Sequence, residues 1–377
     1  MTGHDGAESH GQHERNLHLA PTDQYYFEML KSQNTNPSNI PYFVLYGSMD
    51  GDVSTTRYGI SESNEILVRQ TGFPLWDRAD TAFKSMAFVK GATHNGFITD
   101  NHDYKIYDKV TNKLISSGKS ISGDNLANVA LQQNICLGYV NAFFRKALLG
   151  ETIWDGMLKG DWTPHSIVNI TNTIDIQHKN SDSAIIENYN VMNDELDDSD
   201  GKVTAILKTG QKSSSSFILD IDQQNNIKNP DFFPTRLDPF SPHASKVRMF
   251  DLSKSTNTSY IINLNSSISI ASYQFLSFRI AILFGREYNE ISKLWSRNNT
   301  VSLPNLRVKI NGISNLNSIK LEVSHERLDN IDLTKSAMKT IRIPLSDYQN
   351  LTLISSIEID FGANSGKVAI SDIELTN

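Results

Sequence analysis

Apolar residues fall on every second position near the end of this chain, and that period is the tightest constraint on its fold. Ile341, Ile343 and Leu345 alternate, as do Ile357, Ile359 and Phe361. A period of two gathers such residues on one face of a strand. Val368 and Ile370 keep the period, but the apolar phase then slips by one residue to Ile373 and Leu375, which predicts a β-bulge. Residues 273–284 and 305–310 read as further strands. At least eight short strands, with Asn, Ser, Gly and Pro between them, predict two packed antiparallel sheets, a sandwich or jelly roll.

Before about Trp162 the texture differs. Residues 41–47 (PYFVLYG) and 85–90 (SMAFVK) are continuous apolar runs, as expected of strands buried on both faces. Residues 17–21 form a short apolar run ending in a turn, and 24–33 read as helical. The clearest helix spans 125–149, where Leu126, Val129, Ile135, Val140, Phe143, Phe144 and Leu148 recur at helical spacing. Cys136 falls inside it and reads as a packing residue. The expected fold class is α/β plus all-β, with an α/β domain over 1–162 and a β-sandwich over 163–377; a chain of 377 residues has room for both.

Charge and composition exclude several function classes. Lys and Arg number 35 against 42 Asp and Glu, a net charge of -7, so the broad basic footprint of a nucleic-acid binder is missing. One cysteine permits neither an internal disulfide nor a Cys-based zinc site. No apolar run approaches the ~18 residues of a membrane-spanning helix. His4, His10, His13 and His18 lie in a polar segment that reads as a solvated tail rather than a metal site. The acidic stretch 193–201 (NDELDDSDG) fails the spacing of a calcium loop, because Leu196 stands where the first Asp should be. No cofactor and no metal are expected. The first 15 residues lack the apolar stretch of a signal peptide. Five N-x-S/T sequons, at Asn169, Asn257, Asn265, Asn298 and Asn350, are compatible with a secreted surface, although an Asn- and Ser-rich chain also produces them by chance.

Two polar turns follow the buried runs: residues 47–53 (GSMDGDV) after the first, and 91–97 (GATHNGF) after the second. The carboxyl ends of strands in open α/β sheets are where ligands and catalytic groups gather. An Asp that bonds a His ring fixes its tautomer and stabilises the imidazolium formed in acyl transfer. The order Asp then His fits the α/β-hydrolase arrangement.

With residues 19–23 (LAPTD), GSMDGDV and GATHNGF, the stretch from Leu19 to Phe97 resembles the second half of a bacterial and archaeal α/β-hydrolase family of esterase type. Its motifs are a GHSxGGE nucleophile elbow, an LAPTD-like strand end, a GxxDGDV acid turn and a GAxHNxF histidine turn. The helix over 125–149 resembles that fold's last helix. The resemblance implies Asp50 as triad acid, with Asp52 the runner-up, and His94 as general base. Asp50 is preferred because the family's D-x-x-V pattern matches Asp50 to Val53. It also implies an ester or polymer substrate and an extracellular or cell-surface setting. The chain departs from the family in having no G-x-S-x-G. Asp5 stands at the serine position of a GHSxGGE-like stretch and Ser9 fits A-x-S-x-G, but Ser9 is only ten residues before Leu19, too few for an elbow helix and a strand. The expectation is a partial hydrolase sheet without its first half, open-edged near Leu17, whose nucleophile is Ser9, Asp5 or absent.

The β-rich part resembles jelly-roll carbohydrate-binding-like modules attached to secreted hydrolases, through residues 275–279 (FLSFR), 343–345 (IPL) and 370–375 (ISDIEL). This implies a glycan partner held by exposed rings, with Tyr260, Tyr273, Tyr288 and Trp295 as candidates. Two functions therefore compete: a carboxylester hydrolase using Asp50 and His94, and a non-catalytic glycan- or surface-binding sandwich that carries a hydrolase remnant.

Overall fold

The computed structural model describes residues 16–19, 41–47, 76, 83–90, 92, 95–97, 129–170, 174–187, 203–209, 216–218, 248–252, 258–283, 285–289, 294–298, 303–314, 319–321, 338–362 and 367–377. The chain divides into two compact units; one takes in Met1–Ser181, the other Asp182–Lys228, Ser245–Val323 and Lys339–Asn377.

The first unit holds a four-stranded sheet in the order β1 (Asn16–Leu19), β2 (Tyr42–Gly47), β3 (Phe83–Val89) and β4 (Ile174–Asn180). β1, β2 and β3 are parallel, and β4 joins β3 antiparallel along its whole length. The apolar runs of β2 and β3 are buried on both faces, as parallel strands require. One face is covered by α1 (Val129–Leu149). Phe43 of β2 stacks against Tyr139 and Phe143 of that helix, with ring centroids 6.2 and 5.5 Å apart. The helix ends at Gly150, whose N–H bonds the Lys146 carbonyl at 3.1 Å and whose left-handed φ of 70° turns the Glu151 N–H onto the Arg145 carbonyl at 3.3 Å. Beyond it, Arg145 grips Glu151 through two 2.8 Å hydrogen bonds, and the Trp154 indole donates to the same carboxylate. These contacts turn the chain into α2 (Asp155–Lys159). β4 lies beyond the boundary expected at residue 162. A seven-residue strand carries no local mark of which sheet it joins, and pairing with β3 places it in the first unit.

The second unit is a β-sandwich. Its strands are β5 (Ala184–Glu187), β6 (Val203–Thr209), β7 (Ser216–Ile218), β8 (Arg248–Asp251), β9 (Thr258–Ser269), β10 (Phe275–Leu283), β11 (Gly285–Asn289), β12 (Leu294–Asn298), β13 (Leu303–Ile310), β14 (Ile313–Ser314), β15 (Ile319–Leu321), β16 (Lys339–Pro344), β17 (Leu353–Gly362) and β18 (Lys367–Thr376). One sheet runs β16-β10-β18-β8-β7, with β5 also on β18. The other runs β14-β13-β17-β9-β6, with β15 also on β13. β11 and β12 form a separate ribbon. All these pairings are antiparallel. The alternating residues of the sequence meet in one core: Leu276, Phe278, Ile280, Ile341, Ile343 and Ile370 from the first sheet, and Tyr260, Ile262, Val308, Ile357, Ile359 and Phe361 from the second.

The bulge foreseen in β18 is present. Ser277 of β10 faces Glu374 and Arg279 faces Ser371, so three steps on β18 oppose two on β10. The inserted residue is Asp372, which takes a left-handed φ of 46°. Its carboxylate forms an ion pair with Arg279, and the guanidinium also donates to Ser371 Oγ at 3.3 Å. Arg279 is only 3% exposed. Removing one member of a buried pair strands the other charge away from water. Arg279→Ala is expected to destabilise the sandwich by about 3–5 kcal/mol, read from the shift in the urea unfolding midpoint at unchanged slope. A loss under about 1 kcal/mol would place this pair with weak surface ion pairs.

Candidate functional site

The first candidate site is built where β2 and β3 end together. Gly47 faces Val89 in the parallel register, so both chains leave the sheet at the same level. The two exits then converge. A Cβ on Gly47 would lie 2.2 Å from the Ala92 carbonyl oxygen, so only a glycine lets the backbones approach this closely. The segment after β3 is held from three sides. Lys90 forms a 3.7 Å ion pair with Asp175 of β4, which is buried in the sheet. The Gln132 carboxamide of α1 packs on Gly96, and Phe97 enters the core beside α1.

Asp50 and His94, the predicted acid and base, lie outside the described residues, as do Asp52, Ser9 and Asp5. The described frame brings Gly47, three residues before Asp50, against Ala92, two residues before His94. Lys90, Asp175 and Gln132 were not singled out in the sequence. Gln132 did carry a signal: it is polar at a position in phase with the buried Ile135, Tyr139 and Ala142 of the same helix. Asp175 carried none, because its place beside β3 is a long-range pairing.

Cys136 is half-buried on α1, and burial pushes its thiol up to about 11. The thiol is thus protonated at neutral pH, unlike a nucleophilic cysteine. Among the described residues no group of His, Cys, Asp and Glu could hold a metal ion. His4, His10 and His13 and the acidic stretch 193–201 lie outside them, as does the side chain of His18. No helix among the described residues is long and apolar enough to cross a membrane.

The second candidate site is the face of the β10-containing sheet turned away from the core. Ser277 faces Arg342 on one side and Glu374 on the other; Arg279 faces Thr340 and Ser371; Phe275 faces Pro344 and Thr376. The rows through Ser277 and Arg279 are polar where their neighbours along each strand are apolar, and Phe275 and Pro344 add an apolar end. Ser277, Arg279, Glu374 and Thr376 are buried, while Arg342 and Phe275 are half-buried. The Arg342 guanidinium lies 4.0 Å from the Phe275 ring centroid. It donates to Thr376 Oγ1 at 3.1 Å and to the Asn377 carbonyl at 3.2 Å. A planar donor group is thus fixed on an aromatic face.

The aromatic residues singled out in the sequence fall elsewhere. Tyr260 is fully buried, its ring 5.0 Å from Phe250, and is a core residue rather than a sugar platform. Its strand alternation made it inward-facing, which ring chemistry alone does not reveal. Tyr273 is half-buried against the same core. Tyr288 and Trp295 occupy facing register positions in the β11–β12 ribbon, and their side chains lie outside the described residues.

No family model matches the chain, and no curated protein matches it. Solved structures similar to it include a family 11 carbohydrate-binding module of a cellulosomal cellulase of Clostridium thermocellum. That match is 13% identical over 52% of this chain and 94% of that one, with a TM-score of 0.27. A carbohydrate-binding module described for specific mannan recognition is 11% identical over 52% of this chain and 98% of its own, with a TM-score of 0.25. A module specific for non-crystalline cellulose is 10% identical over 35% of this chain and 75% of its own, at 0.26.

Two outcomes follow from the packing. Gly47→Ala is expected to cost more than the about 1–3 kcal/mol typical of overpacking, because backbone must move. Gly96→Ala should cost less, since it meets the end of the Gln132 side chain. Thermal melts of the two variants check this order. Cys136 should react slowly with iodoacetamide at pH 7.5 in the folded protein and rapidly in urea; equal rates would contradict its burial.

Proposed function

We propose that the chain is a carbohydrate-binding β-sandwich protein, and that the outer face of its β10-containing sheet recognises the glycan. The observation that supports this reading is Arg342, stacked on Phe275 at the half-buried end of a polar row. Sugars present hydroxyl groups at the ring edge and C–H groups on the ring face. A guanidinium answers the first with fixed donors, and an aromatic ring answers the second with apolar area. The neighbouring Ser277, Thr340 and Glu374 lie in register but are buried, so the half-buried Arg342 and Phe275 are the groups that meet the sugar. No cofactor and no nucleic acid enter this function.

A second reading is favoured by the approach of Gly47 to Ala92: a carboxylester hydrolase built on Asp50 and His94. In it His94 takes the proton of the nucleophile and later returns it to the leaving alcohol, while Asp50 orients the ring and stabilises its charged form. Ser9 or Asp5 of this chain, or another chain, would supply the attacking group. The first-unit sheet then belongs to the α/β-hydrolase type, and the protein would act outside the cell or on its surface.

Affinity electrophoresis in gels containing β-glucan or mannan separates the readings. Retention is expected for the parent and for His94→Ala. It should weaken at least tenfold in Phe275→Ala and in Arg342→Ala, about 1.4 kcal/mol or more. No retention on any glycan tested would overturn the binding reading. Turnover of a p-nitrophenyl ester that disappears in both His94→Ala and Asp50→Asn would establish the hydrolase instead.

A further inference from the structure

We propose that Asn350 is an acceptor for N-linked glycosylation. The sequon Asn350-Leu-Thr352 sits on the connection from β16 to β17. Tyr348 anchors its start: the residue is buried, and its hydroxyl donates to the Val308 carbonyl at 3.1 Å. Leu351 packs against the core on the other side. Between these anchors the Leu351 N–H reaches the Tyr348 carbonyl at 3.4 Å, which closes a β-turn with Gln349 and Asn350 at its tip. Asn350 takes a φ of 57°, a conformation that Asn tolerates better than most residues. Asn350 and Thr352 are both exposed.

The other sequons are placed differently. Asn265 is exposed in β9, in the irregular stretch between Asn263 and Ile268, with paired residues of that strand on both sides of it along the chain. Asn298 is in strand β12 and Asn169 in a 3-10 turn, and Asn257 lies outside the described residues. A transferase must draw the acceptor peptide into its own cleft. A residue in a paired strand can enter only by giving up a run of ladder hydrogen bonds, whereas this turn gives up two, Leu351 N–H to the Tyr348 carbonyl and Ile270 N–H to the Thr352 carbonyl, and leaves the sheets intact. The position also suits a bulky solvated group, because it lies at the end of the sandwich where the chain passes from one sheet to the other.

The donor is a polyprenyl phosphate-linked oligosaccharide. The Asn350 Nδ2 forms a bond to the anomeric carbon. The bond from that carbon to the phosphate oxygen breaks, and the lipid phosphate leaves with the electron pair. The amide proton passes to a base of the transferase. The Thr352 hydroxyl recognises the acceptor and is not consumed.

The test is mass spectrometry of the full chain purified from its native cells. Trypsin releases residues 343–367, which contain Asn350 and no other sequon. The parent peptide should carry a glycan mass at Asn350. Thr352→Ala should bring it to the unmodified mass, and Thr352→Ser, which keeps the hydroxyl, should retain the glycan. Asn350→Gly removes the acceptor while preserving the left-handed turn, so its unmodified peptide comes from a folded protein, checked by circular dichroism. An unmodified parent peptide overturns the proposal. So does a mass increment that persists in Thr352→Ala, because it would not depend on the sequon.

Discussion

A strand with one face in an apolar core has to keep its side chains in phase with that core over its whole length. In β18 the extra residue Asp372 would break that phase, and a bulge absorbs it. Upstream of it, Val368 and Ile370 point inward; downstream, Ile373 and Leu375 do. Paired regularly through Asp372, without the bulge, the strand would turn the second pair to the opposite side. The insertion is held by charge: Arg279 of β10 reaches the displaced carboxylate, and both groups are shielded from water. Such a pair gives little net stability over an apolar substitute, but a misaligned register would leave it broken at several kcal/mol. The bulge and the pair together therefore favour one register between β10 and β18.

The same insertion shapes the outer face of the sheet. The bulge keeps Glu374 and Thr376, like Ser371 before it, turned away from the core and in line with Ser277 and Phe275. Thr376 then meets Arg342 from β16, whose guanidinium already lies on Phe275. Core packing and the polar row are thus two consequences of one local irregularity. Regular pairing past Ser371, with Asp372 kept, would invert the core face and this outer face together.

In the first unit the corresponding constraint is a backbone approach. Parallel strands bring their carboxyl ends to one level, and Gly47 lets the exit from β2 touch the exit from β3 at Ala92. Lys90, Asp175 and Gln132 then fix the second exit from the sheet edge and from the helix.

Much of this architecture was legible from local pattern. The period of two at 341–345 and 357–361 identified inward residues, the phase slip before Ile373 located the bulge, and helical spacing identified the helix that packs on Phe43. Each follows from the fixed direction of successive side chains along a helix or strand. Tyr260 shows the limit: its ring chemistry suggested a sugar platform, and its place on β9 made it core. β4 shows another, since antiparallel pairing with β3, not its own composition, put it in the first sheet. The sequence by itself determined the elements and their apolar faces, because those depend on neighbours a few residues away. Only the tertiary structure decided that Asp175 meets Lys90, that Arg279 meets Asp372, and that Arg342 lies on Phe275, because each joins different strands whose partners are selected by the packing of whole sheets.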